Sequence, residues 1–254
     1  MRLLCGLAFC AALFASGAQA DTAAQLYAAG KYQQAEAAGV VENNAEGLTY
    51  ATRAVLAHET MGAPCLDCLK RAEGYARKAV AANPYYPDAH TYLAAALGYQ
   101  GRIVGLIYAR IANYPEEAKA NIDAALNSDP NNGRALAALG GWNIEVVRAG
   151  GDTMAKMIYG ASLEAGQRDF ERAFAAAPDN LVLRYQYALV LGGYDPERFH
   201  DTILDALKHA IAGKPTTAFD AFEQSRAREL LDVFKRGDTD AFTKLVKRNQ
   251  GYPQ

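Results

Sequence analysis

Residues 117–142 read EAKANIDAALNSDPNNGRALAALGGW, from Glu117 to Trp142. Ala118, Ile122 and Ala125 recur at helical spacing, Asp129-Pro130-Asn131-Asn132 is a tight polar corner, and Ala135, Leu136, Leu139 and Gly140 open a second helix. The stretch therefore spells helix, corner, helix. The same pattern occurs once before it and once after it, so the chain is built by repetition and not around a single loop.

The repetition is positional. Pro84, Pro130 and Pro178 stand 46 and 48 residues apart. An alanine lies five residues before each (Ala79, Ala125, Ala173), a small residue twelve before (Ala72, Ala118, Gly166) and another ten after (Ala94, Gly140, Ala188). Antiparallel helices need small side chains where their axes approach, with larger ones such as Leu97, Ile122 and Phe170 filling the space beside them. Proline lacks the N–H and suits the first helical turn, so each proline is expected to end one helix and start the next.

The small-residue ladder with its Asn83-Pro84 and Asp129-Pro130 corners resembles the tetratricopeptide repeat over residues 65–212. That resemblance implies a right-handed superhelix of antiparallel helix pairs. The chain departs from it in two ways. From Ala94 to Ala118 and from Gly140 to Gly166 there are 24 and 26 residues, so each unit carries an insertion of roughly a dozen residues relative to the usual 34-residue repeat. The aromatic residue usual early in the unit is replaced by His90, Leu136 and Arg184. A narrower likeness also exists. Leu139-Gly140-Gly141-Trp142 with Glu145-Val146, then Tyr159-Gly160-Ala161 and the Phe170–Ala173 helix, resemble the repeat region of the regulators of microtubule dynamics, with relatives among bacterial exported proteins. This implies the scaffold and not a microtubule partner.

The insertions are the informative departure. The first contains Arg102-Ile103-Val104-Gly105-Leu106-Ile107-Tyr108-Ala109-Arg110; the second contains Arg148, Met154, Met157, Ile158 and Tyr159. Insertions at one place in successive units lie on one face of an array, and that face is often the binding face. Two outcomes follow. The segments either lengthen helices and bury Leu106, Ile107 and Ile158 as extra core, or they line a groove. In the second case Tyr92, Tyr99, Arg102, Tyr108, Arg110, Trp142, Glu145, Arg148 and Tyr159 are its candidate lining, offering apolar contact and anion-pairing donors to a peptide or an acidic small molecule.

The remainder sets bounds. The chain has 254 residues, 51% hydrophobic and 21% charged, which is ordinary globular composition. Arg2, the apolar run Leu3–Ala15 and Ala18-Gln19-Ala20 read as a secretory signal peptide, residues 1–20, cut after Ala20. Cys10 sits inside the apolar run and is discounted as a lipidation site. A periplasmic or secreted chain is expected, with no integral membrane segment, because no other run approaches about 20 apolar residues. Loss of Arg2 leaves 25 basic and 28 acidic residues, a formal charge of −3 that gives no footing for nucleic acid.

No sustained alternation of β-branched and aromatic residues marks a strand, so residues 21–254 are expected to form one all-α domain. Residues 21–64 supply N-terminal helices, 65–212 the repeat core and 213–254 terminal helices that cap the array. Cys65-Leu66-Asp67-Cys68 precedes a helix and is expected to form a disulfide; a helix N-terminus also lowers a thiol pKa, which leaves thiol exchange open. Leu69 follows Cys68 where haem attachment needs histidine. His58, His90, His200 and His209 form no pair at zinc-binding spacing, and no nucleophile elbow or phosphate loop is present. Neither catalytic residues, cofactor nor metal is expected. The functional expectation is a non-enzymatic scaffold or adaptor for a protein or peptide, with a small-molecule accessory of an uptake system as the alternative and redox chemistry third.

Overall fold

The computed structural model describes residues 21–253; the signal-peptide expectation lies outside them. All regular structure among these residues is helical. It comprises α1 (Ala23–Ala28), α2 (Tyr32–Glu42), α3 (Ala45–Met61), α4 (Leu66–Ala82), α5 (Pro87–Val104), α6 (Leu106–Ile111), α7 (Tyr114–Ser128), α8 (Gly133–Tyr159), α9 (Leu163–Ala176), α10 (Leu181–Tyr194), α11 (His200–Ala212), α12 (Ala218–Lys235) and α13 (Thr239–Asn249). Sequence neighbours pair: α3 with α4, α5 with α7, α8 with α9, α10 with α11. Helices α3, α5, α8, α10 and α12 also touch in succession and form one row, with the partners outside it. The ends of the row meet, since Tyr27 of α1 lies 6.4 Å from Phe219 of α12 and Arg226 donates to the Thr60 carbonyl at 2.6 Å.

The three corners are one structure repeated. Tyr86, Asn132 and Asn180 each donate a backbone N–H to the residue three earlier, Asn83, Asp129 and Ala177, at 3.1–3.2 Å. Pro84, Pro130 and Pro178 therefore occupy the second position of a β-turn, where their fixed φ is already correct. This corrects the expectation that they start the next helix. That helix begins three residues later, at Pro87, Gly133 and Leu181, with Asn132 and Asn180 as side-chain caps.

The predicted small residues do hold the pairs together. Ala79, Ala125 and Ala173 are fully buried. A Cβ on Gly140 would lie 2.8 Å from the Gly166 carbonyl oxygen, and one on Gly166 would lie 2.9 Å from the Gly140 carbonyl oxygen, so α8 and α9 touch backbone to backbone. Around this contact the largest core packs Phe170, Tyr187, Ile144, Leu163 and Leu136, and it continues through α10 and α11 into α12 and α13. Terminal helices and repeat core thus share one interior.

The insertions differ from the first expectation. Residues to Val104 extend α5, and residues to Gly150 extend α8. Both helices then break at a glycine of the same shape: Gly105 at φ 81°, ψ 164° and Gly151 at φ 74°, ψ 160°. Only glycine visits that region without strain. These glycines are 46 residues apart, the spacing of the first two corner prolines. Each opens a short helical segment that buries one alanine, Ala109 or Ala155. Leu106, Ile107 and Ile158 are exposed, not core, because a segment anchored by one small residue has little face turned inward.

Gly140 and Gly141 are adjacent, yet opposite effects are expected. Alanine gains about 1 kcal/mol of helix propensity over glycine. At Gly141, whose nearest atom is Val190 Cγ2 at 3.9 Å, that gain survives. At Gly140 the clash with Gly166 backbone and Phe170 outweighs it by about 1–2 kcal/mol. Calorimetry of Gly140→Ala and Gly141→Ala is expected to show melting temperatures displaced downward and upward respectively, by several degrees at Gly140.

Candidate binding groove

Tyr99 and Arg102 stand one turn apart on α5, and Glu145 and Arg148 one turn apart on α8, the next helix of the row. Residues that follow α13 lie between them. Gly251, at φ 82°, reverses the chain with backbone bonds from Gly251 N to Arg248 O (3.0 Å) and Tyr252 N to Lys247 O (3.1 Å). A Cβ there would come within 3.1 Å of the Tyr99 ring, so glycine is needed for space as well as for φ. Arg102 Nη1 donates to the Gln250 carbonyl at 2.9 Å. Gln250 Nε2 donates to the Leu189 carbonyl at 3.0 Å and reaches Glu145 Oε1 at 3.4 Å. Arg148 binds Glu145 Oε2 through Nε and Nη2, at 2.9 and 2.7 Å, and donates from Nη2 to the Tyr252 hydroxyl.

Two cations bracket one ring. The Arg102 and Arg148 guanidinium carbons lie 6.0 and 5.7 Å from the centre of Tyr252. Burial pushes the Tyr252 phenol above its ordinary pKa, aided by Glu145 and opposed by the two arginines. Burial works against the charge of Arg148, yet Glu145 and Tyr252 hold its pKa above the usual value. The groove therefore binds a backbone carbonyl, a glutamine amide and a tyrosine in one chain segment.

The other five candidates lie elsewhere. Tyr92 joins Tyr27 and Tyr50 around the Arg53 guanidinium, at 4.4–5.1 Å from the three ring centres. Trp142 donates Nε1–H to the Pro115 carbonyl at 2.9 Å and meets Tyr159 edge-on at 5.6 Å. Tyr159 donates to Glu116 at 2.9 Å and accepts from Arg110. Tyr108 points to solvent on α6. The nine residues thus form three groups: a filled groove, an aromatic cage around Arg53 and a set at the insertions. The sequence reading missed Gln250 and Tyr252, which occupy the groove, and Arg53, whose only local signal is Tyr50 three residues before it.

Next to the groove lies a buried polar cluster. Tyr185, Glu223, Arg226 and Asn249 meet there; Glu223 Oε1 and Arg226 Nη1 are buried without a hydrogen-bond partner, while Glu223 Oε2 accepts from Gln186 at 3.1 Å. Burial pushes the Glu223 carboxyl up to about 7, against the pull of Arg226 and Gln186. Cys65 and Cys68 are disulfide-bonded at the start of α4, with Glu59 accepting from Cys65 N at 2.7 Å. Among the described residues Glu59, Cys65 and Cys68 are the group with metal-ligand atoms within 4.8 Å of one another, and both sulfurs are engaged in the disulfide. A surface cavity of about 330 Å³ is lined by Asp152, Lys156, Ser162, Glu164 and Arg198 among others, and by none of the nine candidates. No helix among the described residues is long and apolar enough to cross a membrane.

Glu223 makes stability depend on pH. Its folded pKa lies above the ordinary 4.5, so the folded state holds the proton more tightly. The associated stability is complete below pH 4.5 and is lost as pH rises to about 7, to the extent of about 3 kcal/mol at most. Denaturant midpoints are expected to fall between pH 5 and pH 8 for the natural chain. Glu223→Gln, neutral throughout, is expected to remove most of that fall.

A search of the curated proteins finds no significant match to the sequence. The sequence profile of the family described as regulator of microtubule dynamics protein 1-3 matches residues 15–234, from before the first described helix nearly to the end of α12. With most of its length matched, the chain belongs to that family.

Proposed function

We propose that the chain is an exported, non-enzymatic scaffold with a right-handed, tetratricopeptide-like array of helix pairs, and that it binds a protein or peptide segment in the groove between α5 and α8. The observation that carries this is the occupant. Arg102, Arg148, Glu145 and Tyr99 hold Gln250–Tyr252 by a main-chain carbonyl, a side-chain amide and an aromatic ring. Those are features of a peptide, and they recommend a peptide over an acidic small molecule as the ligand. A partner presenting a similarly spaced tyrosine competes with this segment for the same donors. The family contributes the scaffold. Its name speaks of microtubules, whereas Leu3–Ala15 followed by Ala18-Gln19-Ala20 argues for a compartment without them.

The polar cavity beside Gly160, with Lys156 and Arg198 facing Asp152 and Glu164, supports a second reading in which a small molecule is held at the second insertion. Native mass spectrometry of the purified chain tests it: a retained ligand favours that reading, and a bare chain disfavours it.

The peptide reading is tested by competition. Tyr252→Ala removes the ring that both guanidinium groups hold. The variant is expected to bind a synthetic peptide of residues 249–254 at least about tenfold more tightly than the natural chain does, equivalent to about 1.4 kcal/mol. Adding Arg148→Ala is expected to abolish the gain. Equal, absent or unchanged binding by all three proteins contradicts the groove.

A further inference from the structure

The two insertions are copies of one device, and the copying extends to side chains. At the 46-residue spacing Gly105 matches Gly151, Tyr108 matches Met154, Ala109 matches Ala155, Arg110 matches Lys156 and Ile111 matches Met157. Each copy reads as a positive-φ glycine, two residues, an apolar residue, a buried alanine, a cation and a second apolar residue. Ile107, Ile111 and Met157 are 79%, 77% and 71% exposed, and Leu106, Tyr108, Met154 and Ile158 are also exposed. Seven of the eleven large exposed apolar side chains among the described residues therefore lie on these two segments. Arg110 reaches Tyr159 at the end of the second segment, which ties the two together. Soluble surfaces rarely gather apolar residues this way without a partner.

Shape and charge indicate the partner. A helical peptide needs an apolar groove, whereas here side chains project from segments whose only buried residues are Ala109 and Ala155. Neither Arg110 nor Lys156 makes an ion pair among the described residues; Asp152 is the single acidic residue on the two segments, and Glu164 shares a depression with it. Apolar side chains interspersed with two cations held in no ion pair, of which Arg110 leans on Tyr159, fit a bilayer surface, where the former enter the acyl boundary and the latter meet phosphate. We infer that the two glycine-kinked segments form a ledge that docks the chain on an anionic phospholipid surface. This does not depend on the peptide groove, which lies on other residues.

The test uses residues 21–254, which contain the whole described core, sedimented with vesicles of pure phosphatidylcholine or of phosphatidylcholine with phosphatidylglycerol. Binding to the anionic vesicles is expected, weakened by added salt. The exposed-site triple change Ile107→Ser, Ile111→Ser, Met157→Ser is expected to weaken it at least about tenfold with helicity intact by circular dichroism. Arg110→Gln with Lys156→Gln is expected to weaken binding to anionic vesicles several-fold and leave phosphatidylcholine unaffected. The inference is overturned if the natural chain binds neither vesicle. It is also overturned if the triple variant binds as well as the natural chain, or if the ledge instead drives concentration-dependent dimerisation without vesicle binding.

Discussion

Helices α8 and α9 touch backbone to backbone, and the packing around them follows from that contact. Gly140 and Gly166 bring two helices so close that a Cβ on either would lie within 2.9 Å of the other's carbonyl oxygen. With larger residues the pair would separate, and Phe170 and Ile144, which flank the contact, would lose their fit. The same logic governs α2 and α3, where a Cβ on Gly39 would lie 2.1 Å from the Gly47 carbonyl. Close pairing of this kind fixes the offset of α9 on α8 and of α2 on α3, and the row sets α5 beside α8.

That neighbourhood creates both of the surfaces proposed to bind. Inside, Arg102 and Arg148 converge because the helices that carry them are adjacent in the row, and the space between them receives Gln250–Tyr252. Outside, the same two helices outgrow their partners and break at Gly105 and Gly151, turning their last residues into the exposed ledge. A single lengthening of the repeat unit thus gives a polar, filled groove and an apolar, open surface. The two need not serve the same ligand.

The repeat was legible in the sequence because its signal is local. Small residues at fixed distances from Pro84, Pro130 and Pro178 report helix pairing directly, and Ala79, Ala125 and Ala173 are buried as that spacing requires. The role of each proline is not legible there, since the turn from Asn83 to Tyr86 runs straight into the helix that starts at Pro87, three residues after Pro84. The fate of the insertions was not legible. Leu106 and Ile107 have the composition of core, and their exposure follows from a glycine at φ 81°, which no periodicity reports. Tyr99, Arg102, Glu145 and Arg148 come together between α5 and α8, but the segment they hold lies more than 100 positions away in sequence from Arg148. Tyr252 in a short polar run carries no sign of where it will rest.

The arginines of α5 and α8 bind the segment after α13 in the groove. A double-mutant cycle on unfolding free energy tests it most directly, using Arg148→Ala, Tyr252→Ala and the pair together. Contact between the two residues requires a coupling of about 1 kcal/mol, so the double change should cost less than the sum of the single ones. Strict additivity, within about 0.3 kcal/mol, would place Tyr252 outside the groove.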